Sequence, residues 1–155
     1  MRNTEASTAS FLMDTAGYLK QIQSVLRPSI FLAKLISSNG VSALVHCEDG
    51  FDVTSIVVAL TKIQLDPFYR TIEGFLDLIE EDFASFGFRF MEKIGHSSKV
   101  FPRATEISYC PTFSLFLDAV YQISQQYACA FEFNESYLWS INEASCCGIF
   151  GKALC

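Results

Sequence analysis

The spacing of apolar residues predicts a chain that is mostly helical. From Thr15 to Ser37 the apolar residues recur at intervals of three and four, as they do on one face of a helix. Pro28 lies inside this stretch, so we expect the helix to kink or divide near Arg27. Ser38 to Gly40 is typical of a helix end that is followed by a turn.

The next segment changes pattern and predicts a strand, a loop and a second helix. Val41 to His46 is short and rich in β-formers, which indicates a buried strand. Cys47 to Phe51 is a polar loop, and an apolar run extends from Ile56 to Leu65. Its β-branched residues would also permit a strand. The Asp and Thr before it, and its lack of Gly and Pro, favour a helix.

A third helix is predicted from Tyr69 to Phe83, after a break at Asp66-Pro67. We expect its apolar face to contain Ile72, Phe75, Leu76 and Ile79. The acidic run Glu80 to Asp82 is interpreted as a solvated face.

The C-terminal third is predicted to hold two more helices after a long loop. Residues 94–110 carry few structural signals and are interpreted as that loop. Pro111 begins one helix, with an apolar stripe that starts at Phe113. Asn134 is the predicted N-cap of the last helix, which ends near Cys147.

Length and charge narrow the class of protein. The chain has 155 residues, of which 50% are hydrophobic, enough for one packed domain. Its net charge of −6 disfavours nucleic-acid binding and attraction to anionic lipid. There is no apolar run of about 18 residues, as a transmembrane helix would need. The polar lead, residues 1–14, lacks a signal-peptide pattern, so we expect a cytoplasmic protein.

The six cysteines give no metal-binding pattern. No CxxC pair is present, so we expect neither a metal nor another cofactor. A cytoplasmic protein keeps its thiols reduced. Cys110, Cys129, Cys146 and Cys147 are interpreted as small buried apolar residues.

The segment from His46 to Thr54 carries the candidate chemistry. A cysteine between a strand and a helix N-terminus is suited to act as a nucleophile, because the helix dipole and converging N–H groups stabilise an anion. Cysteine-dependent phosphatases also need an arginine six residues after the cysteine to hold two phosphate oxygens. That position is Val53 here.

The same segment resembles the active-site signature of the myotubularin family of phosphoinositide phosphatases. His46-Cys47-Glu48-Asp49-Gly50-Phe51-Asp52-Val53-Thr54 is similar to it except at Val53. Asp66 to Phe75, Ser85 to Phe90, and the blocks that start at Pro111 and Phe131 are similar to further family segments in the same order. The loop and the block at Asp66 look most like the set-binding-factor branch, whose members are inactive and which usually also lacks the cysteine.

The resemblance implies a fold class and roles for individual residues. Residues 15–155 would be the C-terminal part of an α/β, cysteine-phosphatase-like domain, mostly helical with one or two strands. Cys47 maps to the nucleophile and Asp52 to the general acid, although an inert buried thiol is the alternative for Cys47. His46 would support the loop. The phosphate-loop positions are Glu48, Asp49, Gly50, Phe51, Val53 and Thr54.

Two of these positions indicate lost activity. Val53 supplies neither charge nor donor, and Glu48 adds a carboxylate where active relatives carry a serine. The resemblance therefore predicts a pseudophosphatase that regulates or scaffolds phosphoinositide metabolism. Its expected partner is an active myotubularin relative, which would bring it to endosomal membranes, and its own binding to phosphoinositide membranes would be weak at most.

Two alternatives stay open. One is a feeble phosphatidylinositol 3-phosphate or 3,5-bisphosphate 3-phosphatase, in which Lys62, Arg89 or Lys93 replaces the missing arginine. The other is a truncated fragment without a function of its own, because half a sheet would leave edges and apolar faces exposed.

Overall fold

The protein is described by a computed structural model that covers residues 17–47, 50, 52–88, 90–93 and 112–147. In chain order the elements are α1 (Tyr18–Asn39), α2 (Val53–Leu65), a 3-10 turn (Pro67–Arg70), α3 (Ile72–Ile79), a π-helical turn (Glu80–Ala84), α4 (Phe90–Lys93), α5 (Thr112–Gln126), a second 3-10 turn (Ala128–Ala130) and α6 (Glu135–Cys147). Within these ranges, no helix is both long and apolar enough to cross a membrane.

The predicted strand is absent, and the α/β fold class is wrong for the part of the chain that the structure describes. Residues 40–47 are irregular, and Val41 and Leu44 are exposed. A strand is stable only when a neighbouring strand accepts and donates its backbone hydrogen bonds. The described residues supply no such neighbour, so the β-rich composition of this run has no sheet to join.

Helix α1 continues through Pro28 and is not divided there. Buried residues lie on both sides of the proline, with Val25 before it and Ser29 and Ala33 after it. Because α1 packs against α2 and α5 along this face, packing compensates for the hydrogen bond that proline cannot make. The helix ends at Gly40, whose φ of 61° is in the left-handed region and whose N–H donates to the carbonyl of Ile36.

Aromatic side chains from α3, the π-turn and α5 form the centre of the core. Phe75, Phe83 and Phe116 are fully buried. The ring centroid of Phe83 lies 4.9 Å from that of Phe116 and 5.3 Å from that of Phe113. Rings at these separations contribute more than their buried area alone. Phenylalanine thus forms much of the described core, although Phe31, Phe68 and Phe86 are exposed.

The third predicted helix differs from the observed one in which of its side chains are buried. On α3, Phe75 and Ile79 are buried as predicted, whereas Ile72 and Leu76 are exposed. The π-turn after Ile79 adds a residue to the helical turn, which rotates the following side chains. Asp82 consequently faces the interior and is only 4% exposed, so its assignment to a solvated acidic face was wrong.

The two C-terminal helices are confirmed. The stripe of α5 is buried at Phe113, Phe116 and Val120. Asn134 Oδ1 accepts a hydrogen bond from the N–H of Tyr137 at 3.2 Å, as an N-cap does. The predicted loop at 94–110 lies outside the described residues.

The prediction of buried cysteines is wrong for the two that the structure describes outside the loop. Cys129 is exposed and Cys146 is half-buried, so neither is the fully buried residue that we expected. Cys110 lies outside the described residues, as does the side chain of Cys147.

Candidate functional site

The loop before α2 turns back on the sulfur of Cys47. Cys47 Sγ accepts hydrogen bonds from the backbone N–H of Gly50 and from Thr54 Oγ1, both at 3.0 Å. Gly50 has φ of 80°, a conformation that glycine adopts without strain, and Thr54 lies in the first turn of α2. Two hydrogen-bond donors and the N-terminus of α2 thus lie beside this sulfur.

Cys47 is also exposed, unlike the inert buried thiol that was the alternative for it. His46 beside it is exposed as well, so it is not a packed strand residue. The sulfur is therefore accessible to a reagent or substrate from solution.

Asp52 is held by a cation from a distant part of the chain. Its Oδ2 lies 2.8 Å from Lys93 Nζ, which belongs to α4. Its side chain does not cap α2, and its Oδ1 is buried without a hydrogen-bond partner among the described residues. The ion pair brings a positive charge next to the loop, one residue from Val53.

Val53 is the first residue of α2, and 49% of it is exposed. It lines a groove of about 430 Å³ together with His46, Cys47 and Thr54. The other walls are apolar: Pro28, Phe31 and Leu32 of α1, Leu44 and Val45 of the irregular segment, and Val57 of α2. At the position where the phosphatase motif needs a guanidinium group, the groove therefore presents isopropyl carbons.

The structure brings part of the predicted site together. Cys47, Gly50 and Thr54 are in direct contact, and His46 and Val53 line the same groove. Glu48, Asp49 and Phe51 lie outside the described residues, so their predicted roles stay predictions.

Sequence reasoning did not identify the wall that α1 contributes. Phe31 stands between Ile30 and Leu32 in the sequence, so no local pattern distinguished it as a residue that stays exposed beside the loop.

The three cations considered as substitutes for the arginine differ in their positions relative to the loop. Lys62 is 2.8 Å from both Glu81 and Asp82, and is therefore engaged away from the loop. Lys93 lies beside the loop through Asp52. Arg89 is outside the described residues. No group of three His, Cys, Asp or Glu side chains that could hold a metal ion occurs within the described ranges.

Comparison with known proteins supports the resemblance to the myotubularin family. The family model described as "Myotubularin-like phosphatase domain" matches residues 1–155. The chain is 40% identical to a mouse protein named phosphatidylinositol-3-phosphate phosphatase MTMR7 over 151 aligned residues. The aligned residues make up 96% of this chain and 22% of that protein. It is 47% identical to mouse phosphatidylinositol-3,5-bisphosphate 3-phosphatase MTMR6 over 131 aligned residues, which make up 84% of this chain and 20% of that protein.

The human phosphatidylinositol-3,5-bisphosphate 3-phosphatase MTMR4 is 37% identical to this chain over 142 aligned residues. These residues make up 92% of this chain and 12% of that protein. The chain thus spans about a fifth or less of the length of these relatives. These names describe the activities of the relatives. They do not test the set-binding-factor branch for this chain, which stays a prediction.

Proposed function

The chain belongs to the family of myotubularin-like phosphatase domains, and from that premise we propose that it is a pseudophosphatase that regulates or scaffolds phosphoinositide metabolism. The observation that carries the proposal is Val53. It occupies the first turn of α2, beside the sulfur of Cys47, and it offers neither a charge nor a hydrogen-bond donor. The groove around it is largely apolar, which disfavours a doubly charged phosphate.

The cost of the missing arginine is large. Loss of one donor from a site that stabilises an anionic transition state costs about 3–4 kcal/mol. A guanidinium that holds two phosphate oxygens contributes at least as much, because its hydrogen bonds are charge-assisted. The rate should therefore fall by roughly a hundredfold to a thousandfold. Glu48, which follows Cys47 in the sequence, adds a like charge to the phosphate and lowers the rate further.

We propose an active myotubularin relative as the partner through which the chain acts. Relatives such as the mouse MTMR7 and MTMR6 proteins are named as phosphatases of phosphatidylinositol 3-phosphate and 3,5-bisphosphate. Through such a partner, a cytoplasmic chain would reach endosomal membranes peripherally. Its own net charge of −6 gives it little attraction to an anionic lipid surface.

A second candidate, a weakly active 3-phosphatase, is favoured by one specific observation. Lys93 Nζ lies 2.8 Å from Asp52, whose neighbour in the sequence is Val53. A lysine in this place could neutralise part of the charge on a phosphate at Cys47. It would do so as a point charge, without the two parallel hydrogen bonds of an arginine, and it would have to leave Asp52.

Phosphate release from phosphatidylinositol 3-phosphate distinguishes the two candidates. We would compare the chain with Cys47→Ser as the blank and with the double variant Val53→Arg, Glu48→Ser. The pseudophosphatase proposal predicts no release above the blank from the chain and recovery in the double variant. Release above the blank would refute the proposal.

The variant Lys93→Met tests the second candidate, the weakly active 3-phosphatase. If the chain does release phosphate, loss of that release in Lys93→Met, but not in Lys34→Met, assigns the activity to the lysine beside the loop. Lys34 is the matched control because it is an exposed helical lysine on α1. If the double variant is silent as well, the fragment alternative explains the result better than the two substitutions do.

A further inference from the structure

The C-terminal helix pair contains carboxylates and no cationic side chain. Residues 112–147 contain four carboxylates, Asp118, Glu132, Glu135 and Glu143, and no Lys, Arg or His. Their formal charge is 0 − 4 = −4, whereas the whole chain carries 11 − 17 = −6. Every charged side chain in α5, α6 and the connection between them is therefore a carboxylate.

A groove of about 600 Å³ lies between these two helices. Leu117 and Tyr121 of α5 form one wall, and Leu138 and Trp139 of α6 form the other. Trp139 is 64% exposed, although tryptophan is usually far more buried. These four side chains share the lining with small polar residues and with the carboxylates Asp118 and Glu135.

The two carboxylates of the lining differ in their surroundings. Asp118 is fixed, because the Tyr18 hydroxyl donates to its Oδ2 at 2.7 Å and Gln122 Nε2 donates to its Oδ1 at 3.1 Å. These donors are neutral, so its negative charge is not cancelled. Glu135 is exposed in the first turn of α6 and forms no ion pair within the described part of the chain. Glu135 is thus open to a cation from outside, whereas Asp118 is half-buried and both of its oxygens already accept hydrogen bonds.

We propose that this groove binds a basic amphipathic helix of a partner protein. Apolar side chains of that helix would lie against Tyr121 and the exposed ring of Trp139, and its Lys or Arg residues would pair with Glu135 and approach Asp118. Helices commonly dock in this way, with anchors three or four residues apart. The inference depends on α5 and α6 alone, so its failure would leave the proposal about the Cys47 loop untouched.

Charge decides between this occupant and the others. A second copy of the chain would bring the same face with its charge of −4, and two such faces repel each other. An anionic membrane is repelled for the same reason. A basic helix, in contrast, is attracted over a distance of about 8–10 Å at ordinary salt concentrations before any apolar contact forms.

Trp139 provides a direct readout, because it is the one tryptophan in the sequence. We would titrate the full chain with an 18-residue amphipathic helix made of Leu and Lys and follow tryptophan emission. The expected result is a saturable blue shift that weakens as salt is raised. The same peptide with Glu in place of every Lys should cause no shift.

Variants test whether the binding occurs in the groove. Glu135→Gln should weaken binding by roughly two- to five-fold, which is the contribution of one exposed ion pair. Glu143→Gln is the matched control, because Glu143 is exposed on the same helix and does not line the groove. Ser140→Arg places a bulky cation in the groove and should weaken binding more than ten-fold while the circular dichroism of the chain is unchanged.

Several results would overturn the proposal. These are a shift of equal size with the Glu peptide, no shift with the Lys peptide, and equal losses in Glu135→Gln and Glu143→Gln. A blue shift that depends on the concentration of the chain alone would assign the groove to a second copy. A shift with lipid vesicles but not with the Lys peptide would assign it to a membrane.

Discussion

Lys62→Met should destabilise the protein strongly, because it leaves a buried carboxylate without its cation. Lys62 Nζ lies 2.8 Å from Asp82 and 2.8 Å from Glu81, and 5.7 Å from the ring centroid of Tyr69. Asp82 is 4% exposed, and its Oδ2 already lacks a hydrogen-bond partner among the described residues. Without Lys62, neither oxygen of this carboxylate would have a partner there.

The two ion pairs contribute unequally. Removing one member of a buried pair costs about 3–5 kcal/mol, since the other charge stays buried. The side chain of Lys62 is 28% exposed, so water can approach the vacated position, and the low end of that range, about 3 kcal/mol, applies. Glu81 is 57% exposed, and Glu81→Gln should cost at most about 1 kcal/mol.

The loss should depend on pH in a defined direction. Burial raises the pKa of Asp82 above its usual 3.8, although the hydrogen bond from Lys62 opposes this. A carboxyl group with a higher pKa in the folded chain binds more protons when folded, so stability falls as the pH rises through the window between the two values. Removal of Lys62 raises the folded pKa further. The loss in Lys62→Met should therefore be largest near pH 7 and should shrink towards pH 4.

Urea unfolding followed by circular dichroism at pH 7 and pH 4 measures both effects. Lys34→Met is the control for loss of an exposed helical lysine and should change the free energy of unfolding by less than about 0.5 kcal/mol. Lys62→Met with Asp82→Asn should recover most of the stability at pH 7, since the charge is then gone. A loss below about 1 kcal/mol at pH 7, or one that does not shrink at pH 4, would refute the reasoning.

Three further predictions concern the core and its contacts. Gly74→Ala should lower the free energy of unfolding by about 1–3 kcal/mol despite the better helix propensity of alanine, because its Cβ would overlap the carbonyl of Phe68; a rise in the midpoint of thermal unfolding would contradict this. Phe83→Ala should cost about 3–5 kcal/mol in urea unfolding, because the ring is fully buried, and a cost below about 2 kcal/mol would mean that the cluster repacks. Tyr18→Phe removes the donor to Asp118 and should cost about 1 kcal/mol in the same assay, whereas no change would mean that water replaces the hydroxyl.

The sequence alone determined the family and most helices. Apolar residues at helical spacing place α5 correctly, because this helix buries one stripe, and Asn134 places the start of α6, because its side chain caps that helix. The flanking Asp and Thr and the lack of Gly and Pro favoured a helix for α2, which the structure has. The motif from His46 to Thr54 also indicated the candidate site, whose function stays a prediction. Residue identity is enough for this, since the chemistry requires a cysteine and the loss of the arginine is visible in the sequence as Val53.

Tertiary structure decided what depends on distant partners. Val41 to His46 has the composition of a strand, yet pairing needs a second strand, which no local pattern reveals. Asp82 pairs with Lys62, which lies 20 residues earlier in the chain, and Asp52 pairs with Lys93 across 41 residues. Charges and strands gain their partners only through the fold, because the neighbours that stabilise them are close in space and far apart in the chain.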